Sequence, residues 1–158
     1  MTTIPGRLRE PLALVPFLIA VAVAAVVGGL AAADARTVYS GLELPPFAPP
    51  AWLFGPVWTV LYLGIAVSGW LYWKSRGDRA GLLWYAAQLV LNAAWTPLFF
   101  AAGAYTVALV DIALLDVAIA VTALYFRRTS RVSAALLLPY LAWTLYATAL
   151  NAAIVVLN

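Results

Sequence analysis

The stretch "QLVLNAAWTPLFF", Gln88–Phe100, decides how this chain is read. It lies in an apolar run long enough to cross a bilayer, since about 20 helical residues traverse about 30 Å of hydrocarbon. Yet it carries amides at Gln88 and Asn92, an indole at Trp95 and a proline at Pro97. Lipid tails offer these groups no hydrogen bond, so they must face other helices or a cavity. On a helix, Gln88, Asn92, Trp95 and Phe99 fall at i, i+4, i+7 and i+11, a single stripe that Tyr85 extends by one turn. Pro97 frees a backbone carbonyl near Ala93 and predicts a kink.

The rest of the chain supplies the context. Of its 158 residues, 66% are hydrophobic and 9% charged, with a mean hydropathy of +0.98. A soluble domain is about a quarter charged, and a small globule cannot hide this much apolar surface. The sequence therefore predicts an all-α integral membrane protein. Cys and His are both absent, which excludes disulfides, thiolate nucleophiles, Cys/His zinc sites and the usual haem ligands, and no metal site is expected. "GGLAAAD" lacks the Lys-Ser/Thr of a phosphate loop. The pI near 9.5 reads as topology, not as nucleic-acid binding, because of where the basic residues fall.

Five segments are long and apolar enough to span, at about 12–33, 52–73, 81–101, 104–126 and 133–156, giving a five-transmembrane-helix bundle. The first follows basic residues as a signal peptide would, but its apolar run is too long, so it is read as retained. Gly103 marks a tight turn between the third and fourth spans. The long link, residues 34–51, holds Pro45, Pro46, Pro49 and Pro50, four of the ten prolines. They favour extended backbone and a stiff capping loop. Arg7, Arg9, Lys74, Arg76, Arg79, Arg127, Arg128 and Arg131 fall on one side of such a bundle and Arg36 alone on the other. That bias predicts a cytoplasmic N-terminus, an extracytoplasmic C-terminus and an extracytoplasmic loop.

Two further spans carry stripes of the same kind: Trp58, Tyr62, Ile65 and Gly69 on the second, and Pro139, Trp143, Ala147 and Leu150 beside Asn151 on the fifth. Each alone reads equally as interhelical packing, with amides hydrogen-bonding across helices at about 0.6–2 kcal/mol. Three together, beneath a stiff loop, point to an aromatic-lined pocket. Ala20, Ala24, Gly28 and Ala32 form a small-residue ridge on the first span, read as a packing surface. Asp111 and Asp116 on the fourth lie about 140° apart around the helix, so they do not both face one site. Asp111 is the functional candidate and Asp116 the structural one.

"LELPPFAPPAWLFGPVWTVLY", "WYAAQLVLNAAWTPLFF" and "PYLAWTLYATALN" resemble, in order and in nearly full coverage, the TspO/MBR translocator family of tryptophan-rich sensory proteins. The resemblance implies a single five-helix transmembrane domain over residues 1–158, often dimeric, with the first loop capping a cavity. It implies a porphyrin or similar flat hydrophobic ligand, with no covalently bound cofactor, held by Trp58, Tyr62, Asn92, Trp95, Trp143, Ala147 and Leu150. Gln88 and Phe99 join these from the helical stripe and Asp111 as an intramembrane carboxylate, and Pro45, Phe47, Pro49 and Pro50 form the lid. Trp58 and Trp143 match two tryptophans implicated in light-dependent breakdown of protoporphyrin IX. Leu44 stands where the family usually has a lysine, which removes a cation able to hold a porphyrin propionate. "ALNAAIVVLN" lacks the Tyr and basic residue of the sterol motif of animal members.

Three functions follow as expectations. The first is porphyrin binding, as sensor or transporter, by indole stacking worth about 0.5–1.5 kcal/mol per ring pair beyond burial. The second is an enzyme degrading protoporphyrin IX with light and oxygen through Trp58 and Trp143. The third is a ligand-free membrane scaffold whose stripes are only packing. Expected partners are the small molecule, membrane lipid and a second copy of the chain, without nucleic acid.

Overall fold

A computed structural model describes residues 12–158, so Arg7 and Arg9 of the charge argument lie outside the described residues. It contains six α-helices and, among the described residues, no strand: α1 Val15–Ala31, α2 Ala35–Gly41, α3 Phe54–Lys74, α4 Arg79–Thr96, α5 Tyr105–Thr129 and α6 Arg131–Leu157. By length and hydropathy, α5, α6 and Ala51–Lys74 each suffice to cross a membrane. A fourth span is met if α1 and α2, bent by 57°, count as one. Among the five long helices, α4 is the one whose apolar run is broken by Gln88 and Asn92. The outer surface is apolar, with Val23, Leu30, Val60, Val90, Val117 and Leu138 all more than half exposed. Such a surface is stable only against lipid.

Local chemistry sets the boundaries. Asp78 caps α4 by accepting from the Gly81 N–H at 2.7 Å, and Ser130 caps α6 through the Ser133 N–H at 3.2 Å. Side-chain caps of this kind satisfy an otherwise orphaned donor. Pro97, which cannot donate, ends α4 and starts a π-helical turn over Pro97–Ala101, in which Ala102 N–H donates to the Pro97 carbonyl at 2.9 Å. Gly103, with φ of +61°, then reverses the chain as the sequence predicts.

The long link differs from expectation. Its first half is helical, not loop: "ARTVYSG" forms α2. A seven-residue helix with two β-branched residues is weak alone, and tertiary contacts hold it. Tyr39 is buried edge-on against Phe54, with centroids 5.5 Å apart, and donates its hydroxyl to the Pro49 carbonyl at 2.9 Å. The proline-rich half is tied to α6 twice. Tyr146 donates to the Phe47 carbonyl at 2.7 Å, and Asn158 accepts from the Glu43 N–H at 3.0 Å while donating to its carbonyl at 3.2 Å. Pro45 and Pro49 are buried, whereas Phe47 and Pro50 face outward.

The helices form a ring in which α1 touches α3 and α4, α3 touches α6, α6 touches α5 and α5 touches α4. The end bearing the basic loops is packed solid. Tyr72 stacks on Phe126 with centroids 3.9 Å apart, and Tyr85 packs beyond. Gly77 and Gly81 leave the space that the Tyr72 ring occupies. Ser68 and Ser133 there donate to one another's carbonyls, at 2.8 and 2.5 Å, joining α3 to α6.

Candidate functional site

The other end of the ring is organised around an aromatic wall. α3 contributes Phe54, Trp58 and Tyr62, one turn apart, and α4 contributes Trp95. Trp58 leans on Tyr62 at 5.2 Å and meets Tyr140 of α6 edge-on at 6.1 Å. Asn92 joins three helices: its Oδ1 accepts from the Tyr62 hydroxyl at 2.8 Å and its Nδ2 donates to the Tyr140 hydroxyl at 3.0 Å. Trp95 donates through Nε1 to Asn151 Oδ1 at 3.2 Å, and Asn151 Nδ2 donates to the Tyr105 carbonyl at 3.0 Å. Phe99, in the π-helical turn, stacks behind Trp95 at 5.0 Å. These polar tips are thus satisfied across helices, as apolar surroundings demand.

The wall has two sides. On the α5–α6 side a void of about 10 Å³ is bounded by Phe54, Trp58, Asn92, Trp95, Ile112, Leu115, Trp143, Thr144 and Ala147. Trp143 meets Phe54 edge-on at 5.9 Å beside it. On the α1 side a cavity of about 580 Å³ opens, floored by Trp58, Tyr62, Trp95, Thr96 and Phe100 and walled by Ala25, Gly28, Gly29, Ala32 and Ala33 of the α1 segment. Ala35, Arg36 and Tyr39 of α2, with Ala51, Phe54 and Gly55, close its upper rim. Small-molecule sites typically measure about 300–1,000 Å³, so only this side has ligand size.

The predicted site residues therefore divide. Trp58 and Tyr62 line the open cavity with Trp95, while Asn92, Trp143 and Ala147 border the narrow void. Phe99 and Leu150 are buried behind them. Gln88 is wholly buried, with neither amide atom hydrogen-bonded, and lines neither cavity. Asp111 is buried within α5, lines neither cavity and has Oδ2 unpaired. Asp116 is engaged structurally, accepting from the Thr148 hydroxyl at 2.7 Å.

Sequence reasoning did not find the α1 wall. The ridge Ala20, Ala24, Gly28, Ala32 reads as a packing surface, and in part it is one: Ala24 and Gly28 are buried, and a Cβ at Gly28 would stand 3.4 Å from Thr96 Oγ1. A four-residue step, however, advances about 40° per step around a helix. The ridge winds from exposed Ala20 through the contact to Ala32 at the cavity. The signal that could have separated the two roles is Gly29 beside Gly28, a pair wider than one contact line requires.

A ring of apolar-surfaced helices around an aromatic cavity, rimmed by α2, defines a polytopic α-helical membrane protein with a ligand-sized cleft. The chain belongs to the TspO/MBR family, whose profile matches residues 16–157. It is 43% identical over 129 residues to the tryptophan-rich protein TspO of Archaeoglobus fulgidus, covering 80% of this chain and 84% of that one. It is 42% identical over 120 residues to the human translocator protein, covering 72% and 70% of the two chains. The tryptophan-rich sensory protein of Cereibacter sphaeroides is 34% identical over 113 residues, with 72% of each chain covered.

Proposed function

We propose that this protein binds a porphyrin, or a similar flat hydrophobic molecule, as a sensor or transporter in tetrapyrrole handling. The observation that carries the reading is the cavity of about 580 Å³ whose floor is Trp58, Tyr62 and Trp95. Because the polar tips of Tyr62 and Trp95 are engaged with Asn92 and Asn151, these two rings present apolar surface to a ligand. A macrocycle stacked on them gains about 0.5–1.5 kcal/mol per ring pair beyond its burial. The light-dependent degradation reading needs Trp58 and Trp143 against one macrocycle, and Trp143 borders only the narrow void, so binding is the reading preferred.

The test is a protoporphyrin IX titration in detergent, followed by porphyrin absorbance, for the native chain and for Trp58→Leu with Trp95→Leu. Saturable binding weakened at least about tenfold in the double variant, with the helical circular dichroism retained, supports the reading. Equal binding by both refutes this location.

In the same proposal all five long helices span the membrane, with the basic α3–α4 and α5–α6 connections cytoplasmic and α2 and the proline-rich loop outside. The native chain has no cysteine, so single cysteines at Ser40 and Ser75 report the two sides to an impermeant thiol reagent. Labelling of Ser75→Cys rather than Ser40→Cys in intact cells overturns the orientation. A homodimer completes the proposal, and light scattering in detergent at the mass of a single chain would remove it.

A further inference from the structure

The open cavity contains one charge. Among its lining residues Arg36, in the first turn of α2, is the only ionisable group other than tyrosine. The Tyr39, Tyr62 and Trp95 tips are engaged with Pro49, Asn92 and Asn151, so the walls around Arg36 are rings and small aliphatic residues. Arg36 forms no ion pair among the described residues, although Asp34 and Glu43 stand nearby in sequence, both exposed. The 57° bend between α1 and α2 carries Arg36 to the cavity's rim, where the residue is exposed. A guanidinium is always charged and presents a planar fork of donors that matches a carboxylate. At a rim beside an apolar cleft it is less screened than in open water.

We infer that Arg36 anchors the anionic edge of the bound ligand: the cavity takes a flat apolar body that ends in a carboxylate, oriented with that carboxylate at α2. This rests on the porphyrin-binding reading and adds ligand polarity and direction of entry to it. The apolar body enters toward Tyr62 and Trp95, and the carboxylate remains at the rim. A neutral molecule of the same shape fills the same cleft without the anchor. Arg36 thereby supplies, from a different element, the cation that Leu44 withholds in the loop.

The test compares protoporphyrin IX with its dimethyl ester, which keeps the macrocycle and removes both carboxylates, in a non-ionic detergent. The proteins are the native chain, Arg36→Gln and Arg36→Lys, each checked by circular dichroism; Arg36 is exposed, so the fold should tolerate both changes. The expected result is a preference of about tenfold for the acid over the ester in the native chain, the size of one charge-assisted contact. The preference disappears in Arg36→Gln and largely persists in Arg36→Lys, and added salt reduces it in the native chain. Equal binding of acid and ester by the native chain, or the same preference in Arg36→Gln, overturns the anchor while leaving porphyrin binding intact. Absence of saturable binding of either compound by the native chain overturns both.

Discussion

The two sides of the aromatic wall share Phe54, Trp58 and Trp95 but differ in the room they leave for a ligand, about 10 Å³ against about 580 Å³. The shared rings cannot be the cause. On the closed side they meet Ile112, Leu115, Thr144 and Trp143, whose bulk interdigitates as in any well-packed interior. On the open side they face Gly28, Gly29, Ala32 and Ala33, which have almost nothing to insert. Van der Waals packing, not the hydrophobic effect, joins helices in lipid. A face without side chains therefore packs only where backbones touch and leaves a cleft where they diverge. The aromatic stripe is common to both sides, and the small residues opposite decide on which side a cleft of ligand size remains.

The largest expected effect comes from reversing that difference in bulk. A Cβ at Gly29 meets nothing within 4 Å, so Gly29→Phe places a ring in empty space. Porphyrin affinity should fall by roughly a hundredfold, about 2.7 kcal/mol, with thermal stability unchanged or raised. Ala147→Phe, on the closed side, should do the opposite. It overpacks a void of about 10 Å³ and should destabilise by about 1–3 kcal/mol, with little change in affinity per folded molecule. Paired titration and thermal unfolding of the two variants read both effects. If Ala147→Phe proves the stronger block to binding, the ligand occupies the closed side after rearrangement and the assignment of sides is wrong.

The pair also marks what was legible in sequence. Composition and span length placed α3, α5 and α6, and the stripes brought Trp58, Tyr62, Asn92 and Trp95 into one neighbourhood. Lipid offers polar side chains no partner, so their spacing reports the inward direction reliably. Small residues carry no comparable direction. Gly28 and Gly29 are chemically alike, yet a Cβ on Gly28 would stand 3.4 Å from Thr96 Oγ1 and one on Gly29 would meet nothing within 4 Å. Which is which depends on the angle at which α1 crosses α4, a property of the whole bundle. α2 was hidden for a related reason: its hold is Tyr39 against Phe54 and Pro49, contacts made outside the helix itself. Gln88 shows the converse limit. Its place in the stripe correctly predicts burial, but its amide has no partner in the structure.

A smaller effect should follow from disturbing the wall itself. Asn92→Leu removes the group that joins Tyr62 to Tyr140, leaving the fully buried Tyr140 hydroxyl without its donor. The expected cost is about 1–3 kcal/mol, the penalty for stranding a buried polar group. Tyr140→Phe in the same background should recover part of it, because both ends of that hydrogen bond are then apolar. Chemical denaturation of the single and double variants measures the coupling. Additive losses would mean that the Asn92 amide contributes packing alone.

The smallest effect concerns the loop over the wall. Asn158 imitates one rung of a β-ladder, accepting from the Glu43 N–H and donating to the Glu43 carbonyl. The site is exposed, so each bond contributes only about 0.5–1.5 kcal/mol net. Asn158→Ala should leave thermal stability nearly unchanged, since the bundle's packing is elsewhere. The same loss acts more directly on the proline-rich segment, whose other tie to α6 is Tyr146 to Phe47. Exchange at the Glu43 amide should therefore accelerate several-fold. The two sides of the wall should then part again. The tied segment lies along α6, on the closed side, whereas the open cavity's rim is α2, whose Tyr39 is held by the Pro49 carbonyl and the Phe54 ring rather than by Asn158. Porphyrin association and dissociation rates should consequently stay constant as Glu43 exchange rises. If both rates rise together in Asn158→Ala, the loop and α2 move as one lid, and the open side is gated from the closed one.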